Sequence, residues 1–374
     1  MIKLRGRGRA INFDRSEPIV GRVQYKEDDN EFEVYEDFGF TGDLKLRLSA
    51  KISTKKVDSV LPTIVSPSNW NFIRCGDIVF INEKGTLELL YRNSSPDNSL
   101  FITDQCNSLC LMCSQPPKEK DDLDFHYLRN KKLLRLIKDS PEIIGITGGE
   151  PFLLEDRLIE LLRDLNQYHP NSTYHLLTNG KIFSLPIWAE KVSDFRDNLI
   201  LAVPLYSDNY IDHDFIVQSK GAFRQTSLGL HNLAKFNLRV ELRVVLQKLT
   251  IERLEELANY ISYNFPFVES VALMGMELTG LAIINQSKLW IEPSQYNQKL
   301  ENAVRHLHES NVRVRVFNMP LCILSEYTRE FAVKSISDWK QEYIEECNKC
   351  TLKTQCGGVF GTSKSLTNEI AAIL

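Results

Sequence analysis

The sequence predicts an α/β fold: an open or partial β/α barrel, with a small β-rich region before it and a cysteine-rich tail after it. Three observations predict it. From residue 99 onward, short apolar runs alternate with segments of helical periodicity. Residues 1–98 show only short β-type runs broken by turn residues. Seven of the eight cysteines fall into two patterned groups, the first inside the alternating region.

In the first region, residues 31–35, 43–48 and 78–82 read as strands, and the polar stretch NSSPDN at 93–98 reads as a linker. Arg5, Arg7 and Arg9, spaced by glycines, suit a solvated edge strand or a phosphate- or peptide-binding arm. Residues 99–104 (SLFITD) form the first strand of the alternation, and a cysteine loop follows. A helix over 123–138 leads to a strand at 142–147. The helix at 155–169 is stopped by Pro170 and carries Leu158, Leu161, Leu162 and Leu165 on one face. Strands at 174–178, 199–206, 239–247, 269–277 and 312–318 then alternate with helices near 187–195 and over 223–236, 251–264 and 293–310. A helix after each strand demands parallel strands joined by right-handed crossovers. Roughly seven such strands suit a partial barrel, whose ligands sit at the C-terminal strand ends. The expected division is a β-rich region over 1–98, the barrel over 99–318 and a metal-cluster region over 319–374.

The 374 residues are 43% hydrophobic and 25% charged, ordinary values for a folded chain. The formal net charge of −4 supplies no basic field for nucleic acid or an anionic membrane. No apolar run approaches the roughly 18–20 residues of a membrane helix. The first ten residues carry arginines where a signal peptide needs its apolar core. A cytoplasmic protein is therefore expected, and a reducing compartment favours metal ligation over disulfides. Cys75, outside both groups, reads as a buried small hydrophobe.

Cys106-x3-Cys110-x2-Cys113 supplies three thiolates, one short of the full ligand set of a [4Fe–4S] cluster, so one iron stays open. A closed structural zinc site wants four ligands, for which His126 is the nearest candidate. Gly148-Gly149-Glu150-Pro151 follows the next strand and so faces the same end of the sheet.

Cys-x3-Cys-x2-Cys after a first strand, with GGEP one βα unit later, resembles the signature of the radical SAM superfamily. The resemblance implies a partial (β/α)6-type radical SAM barrel and a [4Fe–4S] cluster whose open iron binds S-adenosylmethionine (SAM). It also implies an external electron donor and reductive cleavage of SAM to a 5′-deoxyadenosyl radical. Gly148, Gly149 and Glu150 would then meet SAM, with Glu150 on its ammonium. Thr178 and Asn179 of LLTNG would lie nearby, and Ser207 and Gln247 would reach the ribose. Met276 would pack the adenine, and Met112 would shield the cluster. Arg243 suits either the SAM carboxylate or a structural ion pair. His213-Asp214 resembles a segment of peptide-modifying members, and otherwise reads as exposed loop residues. No residue is singled out as acting on the substrate.

Cys322, Cys347, Cys350 and Cys356 form the second group, which suits a second, auxiliary [4Fe–4S] cluster or a four-cysteine zinc site. CNSLCLMCSQPP at 106–117, taken with the tail ending CGG, closely resembles the His-Xaa-Ser system radical SAM maturase family HxsC. This resemblance covers about residues 76–358. It implies an oxidoreductase of peptide maturation that modifies a peptide or small protein post-translationally, beside a companion radical SAM maturase and a small accessory protein. The other readings are a radical SAM enzyme acting on a small molecule or RNA, and a non-catalytic partner that binds the cluster. Membrane and nucleic acid are not expected partners.

Overall fold

The computed structural model describes the chain apart from residues 1–3, 27–30, 40–43, 56–58, 68–71, 97, 338–339 and 364–368. Its N-terminal part contains β1 (Arg5–Arg7), β2 (Arg9–Ile11), β3 (Ile19–Lys26), β4 (Glu31–Asp37), β5 (Leu46–Ser53), β6 (Thr63–Val65), β7 (Ile78–Ile81) and β8 (Thr86–Tyr91). The strand expected at 43–48 is realised as β5, and residue 43 lies outside the described residues. The sheet order is β1-β8-β7-β3-β4-β5-β6-β2. Its first and last strands are one chain segment interrupted by Gly8, so the sheet closes on itself as a small barrel. A Cβ at Gly8 would lie 2.7 Å from Ile64 and 2.8 Å from the Val65 carbonyl, which explains the glycine where the segment changes partner. Val23, Val34, Ile52, Ile64, Ile81 and Leu87 fill this barrel. Closure leaves few strand edges to aggregate.

The second sheet contains β9 (Ser99–Phe101), β10 (Ile143–Thr147), β11 (Thr173–Leu177), β12 (Leu199–Pro204), β13 (Arg239–Leu246), β14 (Ser270–Gly275), β15 (Val314–Phe317) and β16 (Ala332–Val333). Neighbours in sequence are neighbours in space, and every pair is parallel. The helices between them are α1 (Leu123–Leu136), α2 (Asp156–Tyr168), α3 (Pro186–Ser193), α4 (Tyr210–Val217), α5 (Ala222–Lys235), α6 (Lys248–Ile251), α7 (Leu254–Asn264), α8 (Leu281–Ile284), α9 (Gln286–Leu289) and α10 (Asn297–Glu309). The expected α/β fold with a parallel sheet is what the chain adopts. The eighth strand, β16, has two residues, too few for any periodicity to show.

β7 is buried on both faces: Val79 and Ile81 point into the small barrel, while Ile78 and Phe80 join the core of the parallel sheet. Arg22 of β3 donates from Nε (3.0 Å) and Nη2 (2.6 Å) to the Leu136 carbonyl at the end of α1. A cation at a helix C-terminus is stabilising, and here it fastens the two sheets together through α1. Cys75 is exposed, contrary to its expected burial. It stands at the turn before β7, beside Gly76 with φ of +88°, and its neighbour Asp77 takes the buried position. Among the described residues no helix is long and apolar enough to cross a membrane.

Candidate radical SAM site

The cysteine loop hangs from the C-terminal ends of β9, β10 and β11. The Ile102 N–H donates to Thr147 O at 2.8 Å, prolonging the β9–β10 ladder. Gly149 N–H then donates to Thr103 O (2.7 Å), and Glu150 N–H donates to Gln105 O (2.8 Å). Gly148 adopts a φ of +150°. A Cβ at Gly149 would fall 1.9 Å from the Gln105 carbonyl oxygen. The two glycines thus admit the cysteine loop itself, a closer partner than the cofactor the sequence suggested.

Glu150 is fully buried. Its Oε1 accepts from the Thr178 hydroxyl (2.7 Å) and Phe152 N–H (3.1 Å), and its Oε2 accepts from Asn179 N–H (2.7 Å). A carboxylate offers about four acceptor positions, so one stays available. Burial pushes the Glu150 carboxyl above its usual range, opposed by those three donors and by nearby Lys181. Thr178 and Asn179, expected near the site, are the residues that orient Glu150.

Lys181 is the residue the sequence did not reveal. Its buried Nζ donates to the Asn107 carbonyl (2.7 Å) and the Ser219 hydroxyl (3.0 Å). Asn179 Nδ2 donates to Asn107 Oδ1 (2.6 Å), so both ends of that asparagine are tied to the turn after β11. The charge of Lys181 acts on Cys106, Cys110 and Glu150 together. On the opposite side, Leu109 and Leu111 N–H groups donate to Val217 and Ile216 carbonyls at the end of α4. Leu281 N–H donates to the Cys113 carbonyl at 2.8 Å, next to Gly280 with φ of +58°. Met112 packs with Leu111, Tyr206, Ile216 and Leu278 in a satellite core that Cys110 and Met276 border.

The three thiols lie within one another's electrostatic reach. Burial, then Cys113 and Cys106, push the Cys110 thiol up to about 12. Burial also raises Cys106 and Cys113. Three crowded thiols resist becoming thiolates, and a multiply charged metal group relieves that resistance. The donor set therefore fits an iron–sulfur cluster with one open position. Among the described residues no three His, Cys, Asp or Glu side chains already converge on a single-ion geometry.

The other expected cofactor residues divide. Ser207 is buried, but its hydroxyl donates to Asp208 and accepts from Asn209 in the turn that opens α4. Gln247 caps α6, accepting from Leu249 N–H (2.9 Å) and donating to Thr250 (2.7 Å), so its amide is committed locally. Arg243 Nη1 pairs with Glu241 at 3.1 Å, and His175 Nε2 stands 3.3 Å from the same carboxylate. Met276 lines a cavity of about 60 Å³ at the ends of β13–β15, roofed by Val359, Phe360 and Ser363 of the tail.

His213 and Asp214 belong to α4, not to an exposed loop. His213 Nδ1 accepts from Tyr206 N–H (3.2 Å), and its ring stacks on Tyr206 with centroids 5.9 Å apart. Asp214 accepts from Phe223 N–H (2.8 Å) at the start of α5. Burial lowers the His213 pKa from its ordinary 6.5 to about 4. The unfolded chain then binds more protons between those two values, so stability present above pH 6.5 is lost as the pH falls to about 4. His213→Asn should remove up to about 3 kcal/mol of that loss, read from denaturation curves at the two ends of the window. Parallel curves for variant and parent would show that the ring titrates normally.

In the tail, Cys322 sits in the turn after Pro320, and Cys356 lies beside the hairpin of β17 (Gln341–Glu342) and β18 (Val359–Phe360). Cys356 Sγ accepts from Leu321 N–H (3.4 Å) and Gly358 N–H (3.3 Å). Cys322 feels both Cys356 and Cys347, and burial raises its thiol. Cys350 follows one turn later, its N–H donating to the Cys347 carbonyl at 3.3 Å.

The family model of the Radical SAM superfamily matches residues 100–261. The uncharacterized protein MJ0907 of Methanocaldococcus jannaschii is 26% identical over 165 residues, 43% of this chain and 57% of that protein. The GTP 3′,8-cyclase of Desulforamulus reducens is 29% identical over 101 residues, 26% of this chain and 29% of the cyclase. The chain thus spans little more than half the length of one curated relative and less than a third of the other. Among solved structures, anSMEcpe with bound AdoMet and the Cp18Cys peptide superposes with a TM-score of 0.51 at 14% identity, covering 74% of this chain and 91% of that one. This likeness concerns the fold. The strands that carry the cysteine loop, the two glycines and Glu150 therefore make up a Radical SAM superfamily domain.

Proposed function

We propose that this chain is a radical SAM enzyme that modifies a peptide or small protein, as a maturase of the His-Xaa-Ser type HxsC. The carrying observation is the joining of three crowded buried thiols to a locked carboxylate, Glu150, and a buried cation, Lys181, at one end of a parallel sheet. Cys106, Cys110 and Cys113 would hold a [4Fe–4S] cluster, and the spare acceptor position of Glu150 would take the SAM ammonium. When bound, that pair supplies one-electron reductive cleavage of SAM. The chain's own work is to fix the loop through Asn107, shield it with Met112 and Tyr206, and keep water from the cluster. Arg243 and Met276 would serve the SAM carboxylate and adenine. Cys322, Cys347, Cys350 and Cys356 would hold an auxiliary [4Fe–4S] cluster in a separate region over 319–374, with zinc as the competing metal.

Peptide substrates are supported by the resemblance of residues 106–117 and by anSMEcpe, whose structure holds AdoMet and a peptide. A companion maturase, an accessory protein and an external electron donor belong to the same reading. The reconstituted, reduced protein should form 5′-deoxyadenosine from SAM, and a co-expressed His-Xaa-Ser peptide should change mass. 5′-Deoxyadenosine without any change of peptide mass would sink the peptide assignment. No 5′-deoxyadenosine at all would favour a non-catalytic partner role.

A further inference from the structure

A groove of about 1160 Å³ lies between the N-terminal barrel and the cysteine loop, larger than the roughly 300–1,000 Å³ of small-ligand sites. Six cationic side chains line it: Arg5 and Arg7 of β1, Lys84, Lys118, Lys120 and Arg129. Among the described residues three carboxylates face them, in a chain whose formal net charge is −4. Each of the three is engaged within the wall. Asp104 pairs with Lys118 (2.7 Å), Glu88 with Arg129 (3.4 Å), and Asp122 accepts from Thr103 and from the Asp104 N–H (2.9 Å). Among the described residues of the wall, cationic side chains thus outnumber carboxylates six to three.

Two further observations point to an occupant. Of the six buried side-chain N and O atoms lacking a partner among the described residues, two belong to this wall: His126 Nδ1 and Arg129 Nε. Asp122, His126 and Arg129 stand at spacings of four and three on and just before α1, which puts them on one helix face. Gly6 of β1, buried between the exposed Arg5 and Arg7, also lines the groove. The groove reaches the cysteine loop at both ends, through Asp104 before Cys106 and Gln115 after Cys113.

We propose that this groove binds an extended acidic segment of the substrate peptide and leads the chain toward the cysteine loop. Carboxylates on such a segment would meet Arg5, Arg7, Lys84 and Lys120, and its backbone would lie along β1. The proposal rests on the peptide-modifying reading of the site, but its test does not use SAM cleavage. A fluorescein-labelled Glu-Ser repeat of about twelve residues should bind the full chain in anisotropy titrations, more weakly as salt rises. A Lys-Ser repeat of equal length should not bind. The paired Arg5→Glu and Arg7→Glu changes should weaken the acidic probe about tenfold or more, and Lys120→Glu on the opposite wall should weaken it independently. Equal binding of the two repeats, unchanged affinity in both variants, or tighter binding of a single-stranded RNA of matched length would each overturn the proposal. Loss of 5′-deoxyadenosine formation with acidic-probe binding intact would instead count against the enzymatic reading alone.

Discussion

Cys110→Ser should reduce 5′-deoxyadenosine formation to background and lower the iron content from about eight to about four atoms per chain. Cys110 is the most enclosed of the three loop cysteines, bordered by the satellite core of Leu111, Met112 and Tyr206. Its thiol is pushed up to about 12 by burial and by the two neighbouring cysteines, so only a strongly positive partner keeps all three ionised. Serine is a hard oxygen donor with a still higher pKa, poorly matched to iron–sulfur chemistry. Fold should survive, because the hydroxyl is smaller than the thiol and neighbouring apolar residues already close the site. The iron that stays would report the tail. Cys356→Ser should remove that second portion, since Cys356 is the tail thiol that receives two backbone N–H bonds. Parent protein with only about four iron atoms would refute the auxiliary cluster, and a Cys110→Ser protein with full iron would refute the loop assignment.

How much of this was legible depended on whether a feature had a period or a spacing. The β/α alternation from Ser99 and the two cysteine groups are sequence-local, so the parallel sheet and the place of the loop followed directly. Lys181 carries no such mark. In the KIFS turn it looks like any surface lysine, and its role comes from Asn107 and Ser219, which are 74 and 38 residues away. Closure of the N-terminal barrel was equally hidden. It depends on Gly8 letting one short segment pair with β8 and then with β6, a non-local event without a residue signature. Helix α4 escaped notice because Asn209 caps it and Tyr210, Ile211 and Phe215 are exposed, so the apolar periodicity that identifies a helix is blurred. Gln247 shows the converse. A polar residue ending a strand reads as a ligand contact, yet a helix N-cap makes the same demand.

The glycine pair makes the sharpest structural demand, and Gly149→Ala is expected to damage both stability and iron binding. The added Cβ would stand 1.9 Å from the Gln105 oxygen and 2.5 Å from its carbonyl carbon. Both are backbone atoms, so no side chain can rotate away. It would also crowd the Cys106 Cβ at 3.2 Å. Relief requires the loop to separate from β10, stretching the Gly149–Thr103 and Glu150–Gln105 hydrogen bonds. Overpacking costs about 1–3 kcal/mol and two weakened hydrogen bonds about 1 kcal/mol each, which together give about 3–5 kcal/mol. The melting temperature should fall by roughly 5–10 °C. Cys106 would move with the loop, so iron should be lost even though no ligand is changed. Gly221→Ala separates crowding from backbone strain. Gly149 has no positive φ, whereas Gly221 has one, +80°, and no atom lies within 4 Å of its added Cβ. Its cost should stay near about 1 kcal/mol, with iron retained. A Gly149→Ala protein that melts with the parent and keeps its iron would mean that the loop does not rest on the second glycine, and the packing that places Cys106 would need another explanation.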